Sequence, residues 1–270
     1  MEKNPSHYEQ LPESLGWLAW YAAFGVDEVI SEEAVDHFVV PSLARSAIAP
    51  KKNPQTRPAL PTENLPLRGV TEAQGLAPAC QTIGELFAAI DGFDLCSLRQ
   101  TAEKTVRGVG ITPDSGAVTV MVVGGAPNDS DDTNGLAFSG EEGARLDQLL
   151  ATLDLSRETN SYLTRAIFWR PPGNREPSPL ERMQCRPFLL RLIELVQPKY
   201  LLLLGTLPFE MLSQKPCEIA SLRGKWLDAG ETGIPALLTF NPMLYRDSAV
   251  HKRLIWNDLL LFQARILENS

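Results

Sequence analysis

The sequence lacks the features that mark membrane and secreted proteins. No apolar run reaches the roughly 20 residues that cross a bilayer, and the N-terminal segment MEKNPSHYEQ contains no apolar signal core. The cysteines are few and far apart, in no disulfide-like framework; they are Cys80, Cys96, Cys185 and Cys217. We therefore expect a cytoplasmic protein with no membrane partner.

The chain also lacks an excess of positive charge and a cluster of histidines. Its 25 Lys and Arg against 33 Asp and Glu give a net charge of −8, so any nucleic-acid role must depend on a local basic surface. His7, His37 and His251 are scattered, so the acidic run 129–132 has no histidine cluster with which to form a metal hydrolase site. The segment GGAPNDSDD is not the G-x-G-x-x-G of a Rossmann-type enzyme. We expect no bound metal ion.

Composition divides the chain into three parts. Residues 13–40 carry an apolar, partly helical pattern, which predicts a helical extension over residues 1–40. Its aromatic face is expected to dock on the main domain, and a protein partner is the other interpretation. Residues 41–78 contain seven prolines and many small or polar residues, which predict an extended linker. Residues 79–270 form the remaining part, in which the patterning becomes regular.

Residues 79–270 read as an α/β domain. Short buried strands are predicted at 118–123, 164–169, 200–205 and 236–241, alternating with helices at 83–90, 141–153, 180–196 and 250–267. This alternation is typical of a three-layer domain around a parallel sheet. Ligands of such sheets bind outside the carboxyl ends of the strands. We therefore expect the loops 124–140, 170–179, 205–208 and 241–247 to line one crevice.

The loop RPPGNREPSP, which follows the second predicted strand, is both rigid and basic. Its four prolines each fix a backbone angle, so Arg170, Asn174 and Arg175 are presented with little conformational freedom. Such a loop suits contact with phosphate. A solvated connection whose prolines merely end a strand is the other interpretation, and the loop alone does not decide between the two.

Four segments together resemble the family-4 branch of the uracil-DNA glycosylase superfamily. They are GGAPNDSDDTNGLAFSGEEG, WRPPGNREPSPLERMQCRPFL, PKYLLLLG and TFNPMLYRDSAVHKRLIWNDL, and the resemblance extends from Cys80 to Ala264. It implies a three-layer α/β/α sandwich around a four-stranded parallel sheet. It also implies base-excision DNA repair, in which a uracil is flipped out of DNA into a pocket and its N-glycosidic bond is hydrolysed. The partner would be DNA, possibly uracil-containing, and we expect a monomer.

The resemblance implies roles for the residues that match the family's motifs. Phe138 stands where the family places the ring that stacks on uracil. Asp131 and Asp132 match an acidic pair of the family, and we take both as candidate catalytic residues. The remaining matched pocket residues are Gly124, Ala126 and Pro127. The residues implied in DNA contact are Arg170, Asn174 and Arg175, with Leu244, Tyr245 and Arg246 in the loop that enters the duplex.

Three of the family's chemical groups are replaced. Gly125 stands at the position of a glutamate, Arg165 at that of the asparagine that reads the uracil edge, and Asn241 at that of a histidine. Asn241 can still donate a neutral hydrogen bond to uracil, whereas an arginine has no acceptor for the uracil N3–H. These changes predict that uracil excision is weak or lost. The alternative is a non-catalytic relative that binds DNA or another protein.

Two further expectations follow from the same comparison. Family members commonly hold a four-iron cluster on four cysteines, but here only Cys96 and Cys185 match ligand positions, while Phe93 and Trp169 stand at the other two. We therefore expect no iron–sulfur cluster. A buried guanidinium needs a partner, so we expect Arg165 to form an ion pair with Asp131 or Asp132 and partly fill the uracil site.

Overall fold

The computed structural model describes residues 65–243 and 248–268, with side chains from residue 68. All of these residues belong to one unit of the chain, Ala59–Ser270. The predicted N-terminal extension, residues 1–40, lies outside the described residues, as does the first part of the predicted linker. No helix in the described part of the chain is long and apolar enough to cross a membrane.

A six-stranded sheet forms the centre of the domain. Its strands are β1 (Val109–Gly110), β2 (Val120–Gly124), β3 (Ser161–Arg165), β4 (Tyr200–Leu204), β5 (Trp226–Asp228) and β6 (Pro235–Thr239), in the spatial order β1-β3-β2-β4-β6-β5. The four middle strands are parallel to one another, which confirms the predicted parallel sheet. Each edge carries a short antiparallel strand that the sequence did not predict.

Helices cover both faces of the sheet and complete the predicted three layers. They are α1 (Leu65–Ala79), α2 (Ile83–Asp91), α3 (Asp129–Asn134), α4 (Gly140–Ala151), α5 (Pro179–Val196), α6 (Thr206–Ser213), α7 (Ile219–Leu222) and α8 (Ala249–Glu268). The core beneath α5 also contains α1 and α2, whereas α4 and α8 pack on the opposite face. β2, β3 and β4 are buried along their whole length, as expected of parallel strands covered on both faces.

Helix α1 corrects the predicted linker, since residues 65–78 are helical. Val70, Ala73 and Ala77 are buried at helical spacing and attach α1 to the domain. Pro66 stands in the first turn, where a proline breaks no hydrogen bond. Pro78 is the residue before the last of the helix. The prolines therefore mark the two ends of a helix rather than an extended chain.

The second strand also differs from its predicted position. β3 ends at Arg165, and residues 166–169 continue as a fully buried irregular segment. The apolar run TRAIFW indicated burial correctly but not backbone conformation. Because β3 ends at Arg165 and not at residue 169, Arg165 is the last residue of the strand. It is paired with Gly124, the last residue of β2.

Candidate active site

The candidate pocket forms where β2 and β3 end side by side. Gly124 is the Cα partner of Arg165, and a Cβ at Gly124 would lie 2.5 Å from Cζ of Phe138 and 3.1 Å from a terminal nitrogen of Arg165. Only glycine allows the ring and the guanidinium to come this close. Pro127 is buried and Ala126 half-buried in the turn that follows, so both support the pocket wall.

Helix α3 delivers Asp131 to the pocket. Asn128 caps the helix by accepting a hydrogen bond from the Asp131 amide at 2.9 Å, and the Asp131 carboxylate accepts one in return from the Asn128 amide at 3.3 Å. The same carboxylate accepts a hydrogen bond from the Ser139 amide at 2.8 Å. Asp131 thereby ties the start of α3 to the chain just after Phe138. The sequence predicted only a polar loop here.

Arg165 lies inside the pocket, with a side chain only 3% exposed. Its Nε donates to Oδ2 of Asp131 at 2.7 Å, so the predicted ion pair is confirmed. Its two terminal nitrogens donate to the two carboxylate oxygens of Glu142 at 3.2 and 3.0 Å. Its Cζ is 3.9 Å from the centroid of the Phe138 ring. The guanidinium therefore covers one face of the Phe138 ring, and this is the ring on which the resemblance would stack uracil.

Glu142 is the pocket residue that sequence reasoning missed. It lies in the first turn of α4, where an acidic residue is ordinarily explained by the helix dipole. It also accepts a hydrogen bond from the side-chain amide of Asn128. The available signal was its place in the first turn of the predicted helix 141–153, directly after the predicted crevice loop 124–140.

The two members of the acidic pair have different surroundings. Burial raises the pKa of the Asp131 carboxyl, while the Arg165 guanidinium beside it acts in the opposite direction. Asp132 is buried as well, but it accepts hydrogen bonds from the amides of Glu103 and Lys104 at 2.9 and 3.2 Å. Asp132 thus fixes a neighbouring loop, and the structure does not pair it with Asp131 in one reactive arrangement.

Asn241 follows β6 at the same edge of the sheet. β6 is two strands from β2, which at the usual strand spacing is about 10 Å. The side-chain oxygen of Asn241 accepts a hydrogen bond from the backbone amide of Met243 at 3.0 Å. The side-chain nitrogen of Asn241 is therefore the group left to face a ligand. Leu244, Tyr245 and Arg246, the predicted duplex-entering residues, lie outside the described residues.

The basic side chains of the loop 170–179 form ion pairs with carboxylates. Arg170 forms an ion pair with Asp129 and donates to Asn174 at 2.8 Å, and Asn174 donates to Asp129 at 3.3 Å. Arg175 donates to both oxygens of Glu181 at 2.6 and 2.8 Å, while its side chain remains 46% exposed. All three predicted phosphate contacts are therefore held in place by acidic or amide partners, which a phosphate would have to replace.

Glu181 provides a pH-dependent prediction. Burial would raise the pKa of the Glu181 carboxyl, but hydrogen bonds from Arg175, Ser178 and Ser97 lower it to about 2. A carboxyl whose pKa is lower in the folded state stabilises the fold at pH values above its pKa in the unfolded state. This stabilisation is lost as the pH falls through the pKa of the folded state. We expect Glu181→Gln to reduce the free energy of unfolding at pH 7 by about 2 kcal/mol. Denaturation at several pH values should show this deficit shrinking between about pH 4.5 and pH 2.

Comparison with known proteins identifies the architecture. A model of the uracil DNA glycosylase superfamily matches residues 112–260. The chain belongs to this superfamily. It is 30% identical over 159 residues to the type-4 uracil-DNA glycosylase of Archaeoglobus fulgidus, covering 56% of this chain and 77% of that protein. It is 32% identical over 145 residues to the type-4 enzyme of Thermotoga maritima, covering 52% and 73%. The resemblance to the type-4 branch is therefore confirmed.

Two of the four positions that the resemblance matches to cluster ligands carry packed aromatic rings. Phe93 and Trp169 are buried and stacked, with ring centroids 6.3 Å apart, and Phe188 lies against Phe93 at 5.3 Å. Cys96 and Cys185 are buried, free thiols. Within residues 65–243 and 248–268, no group of three or more potential ligands could hold a metal ion. Two thiols and two interior rings do not fit a four-iron cluster.

Proposed function

We propose that this superfamily member binds DNA in a repair role and that its hydrolysis of the uracil N-glycosidic bond is weak or lost. The observation that carries the proposal is the Arg165 guanidinium, which lies on the Phe138 ring and is held by two carboxylates. While it remains there, no base can stack on that ring face. Accommodation of a flipped base therefore requires Arg165 to leave a buried ion pair, a step that costs several kcal/mol.

The missing chemical groups support the same conclusion. As the bond breaks, positive charge develops on the sugar and negative charge on the departing base, so catalysis depends on groups aimed at both. Gly125 has no side chain with which to orient water. Asn241 offers one neutral hydrogen bond to the base, which stabilises developing charge less than a histidine would. Asp131 is bonded to Arg165 and to two backbone amides, and is not free to act on water.

DNA binding is proposed through the basic loop. Arg170 and Arg175 can exchange Asp129 and Glu181 for phosphate because both arginine side chains are partly exposed, at 25% and 46%. The relatives named above are called uracil-DNA glycosylases, which supports DNA as the ligand. The neutralised loop and the net charge of −8 also favour a second candidate, a non-catalytic relative that binds a protein partner.

An excision assay combined with a binding assay tests the proposal. We expect the wild-type protein to bind uracil-containing oligonucleotides, single-stranded or duplex, and to release little or no uracil. The double variant Arg170→Gln, Arg175→Gln should bind more weakly and with a smaller dependence on salt. Turnover near the 1–10³ s⁻¹ typical of enzymes would contradict the blocked pocket. A complete failure to bind DNA would favour the protein-interaction candidate.

We also propose that this member holds no iron–sulfur cluster. Phe93 and Trp169 stand at two of the four positions that the resemblance matches to ligands, their rings are stacked, and neither side chain can bind iron. Purified protein should be colourless and free of iron by elemental analysis. A brown preparation with about four irons per chain would contradict this proposal.

A further inference from the structure

A second cleft opens between α4 and α8, beside the end of β6. Its volume is about 570 Å³, within the roughly 300–1,000 Å³ typical of small-molecule sites. Its lining includes Arg145 from α4, Lys252 and Trp256 from α8, and Met243 from the segment after β6. None of these residues takes part in the pocket around Arg165. We refer to this feature as the α4–α8 cleft.

The cleft combines an accessible aromatic side chain with positive charge. Trp256 is 40% exposed although it is a large apolar residue. Lys252 is exposed, and no ion pair to it occurs among the described residues, 65–243 and 248–268. Arg145 is paired with Glu141 on its own helix, in a solvent-exposed arrangement that contributes little stability. An aromatic surface beside cations is the chemistry with which proteins hold single-stranded nucleic acid.

The cleft also lies where a bound strand would pass. Met243 follows Asn241 by two residues at the carboxyl end of β6, the same edge of the sheet at which Arg165 ends β3. Arg145 is three residues after Glu142 on α4, about 5 Å along the helix axis. A strand lying across the crevice would therefore bring a neighbouring nucleotide within reach of Trp256 and Lys252.

We propose that the α4–α8 cleft binds one nucleotide of a single-stranded DNA segment that flanks the crevice. The base stacks against Trp256, and Lys252 contacts the phosphate, with Arg145 as a second cation. This inference rests on the proposed DNA binding and adds a strand preference to it. The apolar remainder of the lining suits a base, whatever its identity, because stacking depends on the ring face rather than on base-edge hydrogen bonds.

Fluorescence anisotropy with a labelled single-stranded oligonucleotide tests the cleft. Trp256→Ala should weaken binding by roughly 5- to 160-fold, the loss expected for one stacked base. Trp256→Phe should retain most of the affinity, because phenylalanine can also stack. Leu261→Ala is the matched control, since Leu261 is an exposed apolar residue of the same helix outside the cleft. Lys252→Gln should reduce the slope of log affinity against log salt by about 0.7.

The possible outcomes separate this inference from the function on which it rests. If the wild type binds DNA and both Trp256→Ala and Lys252→Gln bind equally well, the cleft proposal is wrong and the DNA-binding function stands. If the wild type binds no oligonucleotide, both are wrong. Thermal unfolding of each variant identifies any loss caused by misfolding, and the exposed Lys252→Gln change still tests the cleft if Trp256→Ala is unstable.

Discussion

Replacing Arg165 with methionine is expected to lower the free energy of unfolding by about 3–5 kcal/mol, because removing one member of a buried ion pair leaves the others uncompensated. Asp131 is fully buried and Glu142 is 16% exposed. Without the guanidinium, the two carboxylates would lie near each other with no cation between them. Chemical denaturation at pH 7 measures the effect, and Arg68→Met serves as the control, since Arg68 forms an ion pair while 72% exposed. That control should change stability by less than about 1 kcal/mol.

The pH dependence of the Arg165→Met variant provides a second check. Burial raises the pKa of the Asp131 carboxyl, and the Arg165 guanidinium no longer opposes this effect in the variant. A carboxyl whose pKa is higher in the folded state destabilises the fold while it is ionised, and this cost is removed when it is protonated. The loss in free energy of unfolding relative to the wild type should therefore shrink as the pH falls toward about 4. Adding Glu142→Gln should recover part of the loss at pH 7. Equal stability of Arg165→Met and Arg68→Met would show that Arg165 is not held as described.

The centre of the sheet could be predicted because its strands carry a strong signal. β2 and β4 are continuous apolar runs bounded by glycine, which is typical of strands buried on both faces. The edge strands β1 and β5 have two and three residues, too few for any periodicity to appear. The segment 166–169 was misassigned because burial of Phe168 and Trp169 comes from aromatic packing, which looks the same in sequence as a strand.

The candidate site was predictable in part for a topological reason. Adjacent parallel strands end at the same edge, so an arginine at the end of β3 and an aspartate after β2 had to lie close together. Glu142 was not predictable in the same way, because the return of α4 toward the pocket depends on the left-handed backbone of Phe138 and Gly140. No residue type in the loop required that conformation at Phe138.

Restoring the three replaced groups together is expected to bring back uracil excision. The combined variant is Arg165→Asn, Asn241→His and Gly125→Glu, made also in a Glu142→Gln background so that only one of the two carboxylates beside Arg165, that of Asp131, loses its ionic partner. Asparagine vacates the Phe138 ring and offers the amide oxygen that the uracil N3–H needs. A side chain at 125 has room, since a Cβ there would come no nearer than 3.9 Å to its nearest neighbour, Leu207.

Single-turnover kinetics on a uracil-containing oligonucleotide measures the result. One positioned donor or general base contributes typically 10²–10⁴-fold, so the combined variant should exceed the wild type by several orders of magnitude. Single reversions should recover little, because the three groups act on one transition state. The matched control replaces Gly125→Glu with Gly125→Gln, which keeps the size but removes the charge. A folded, DNA-binding combined variant that releases no uracil would show that Arg165 is not what blocks the reaction.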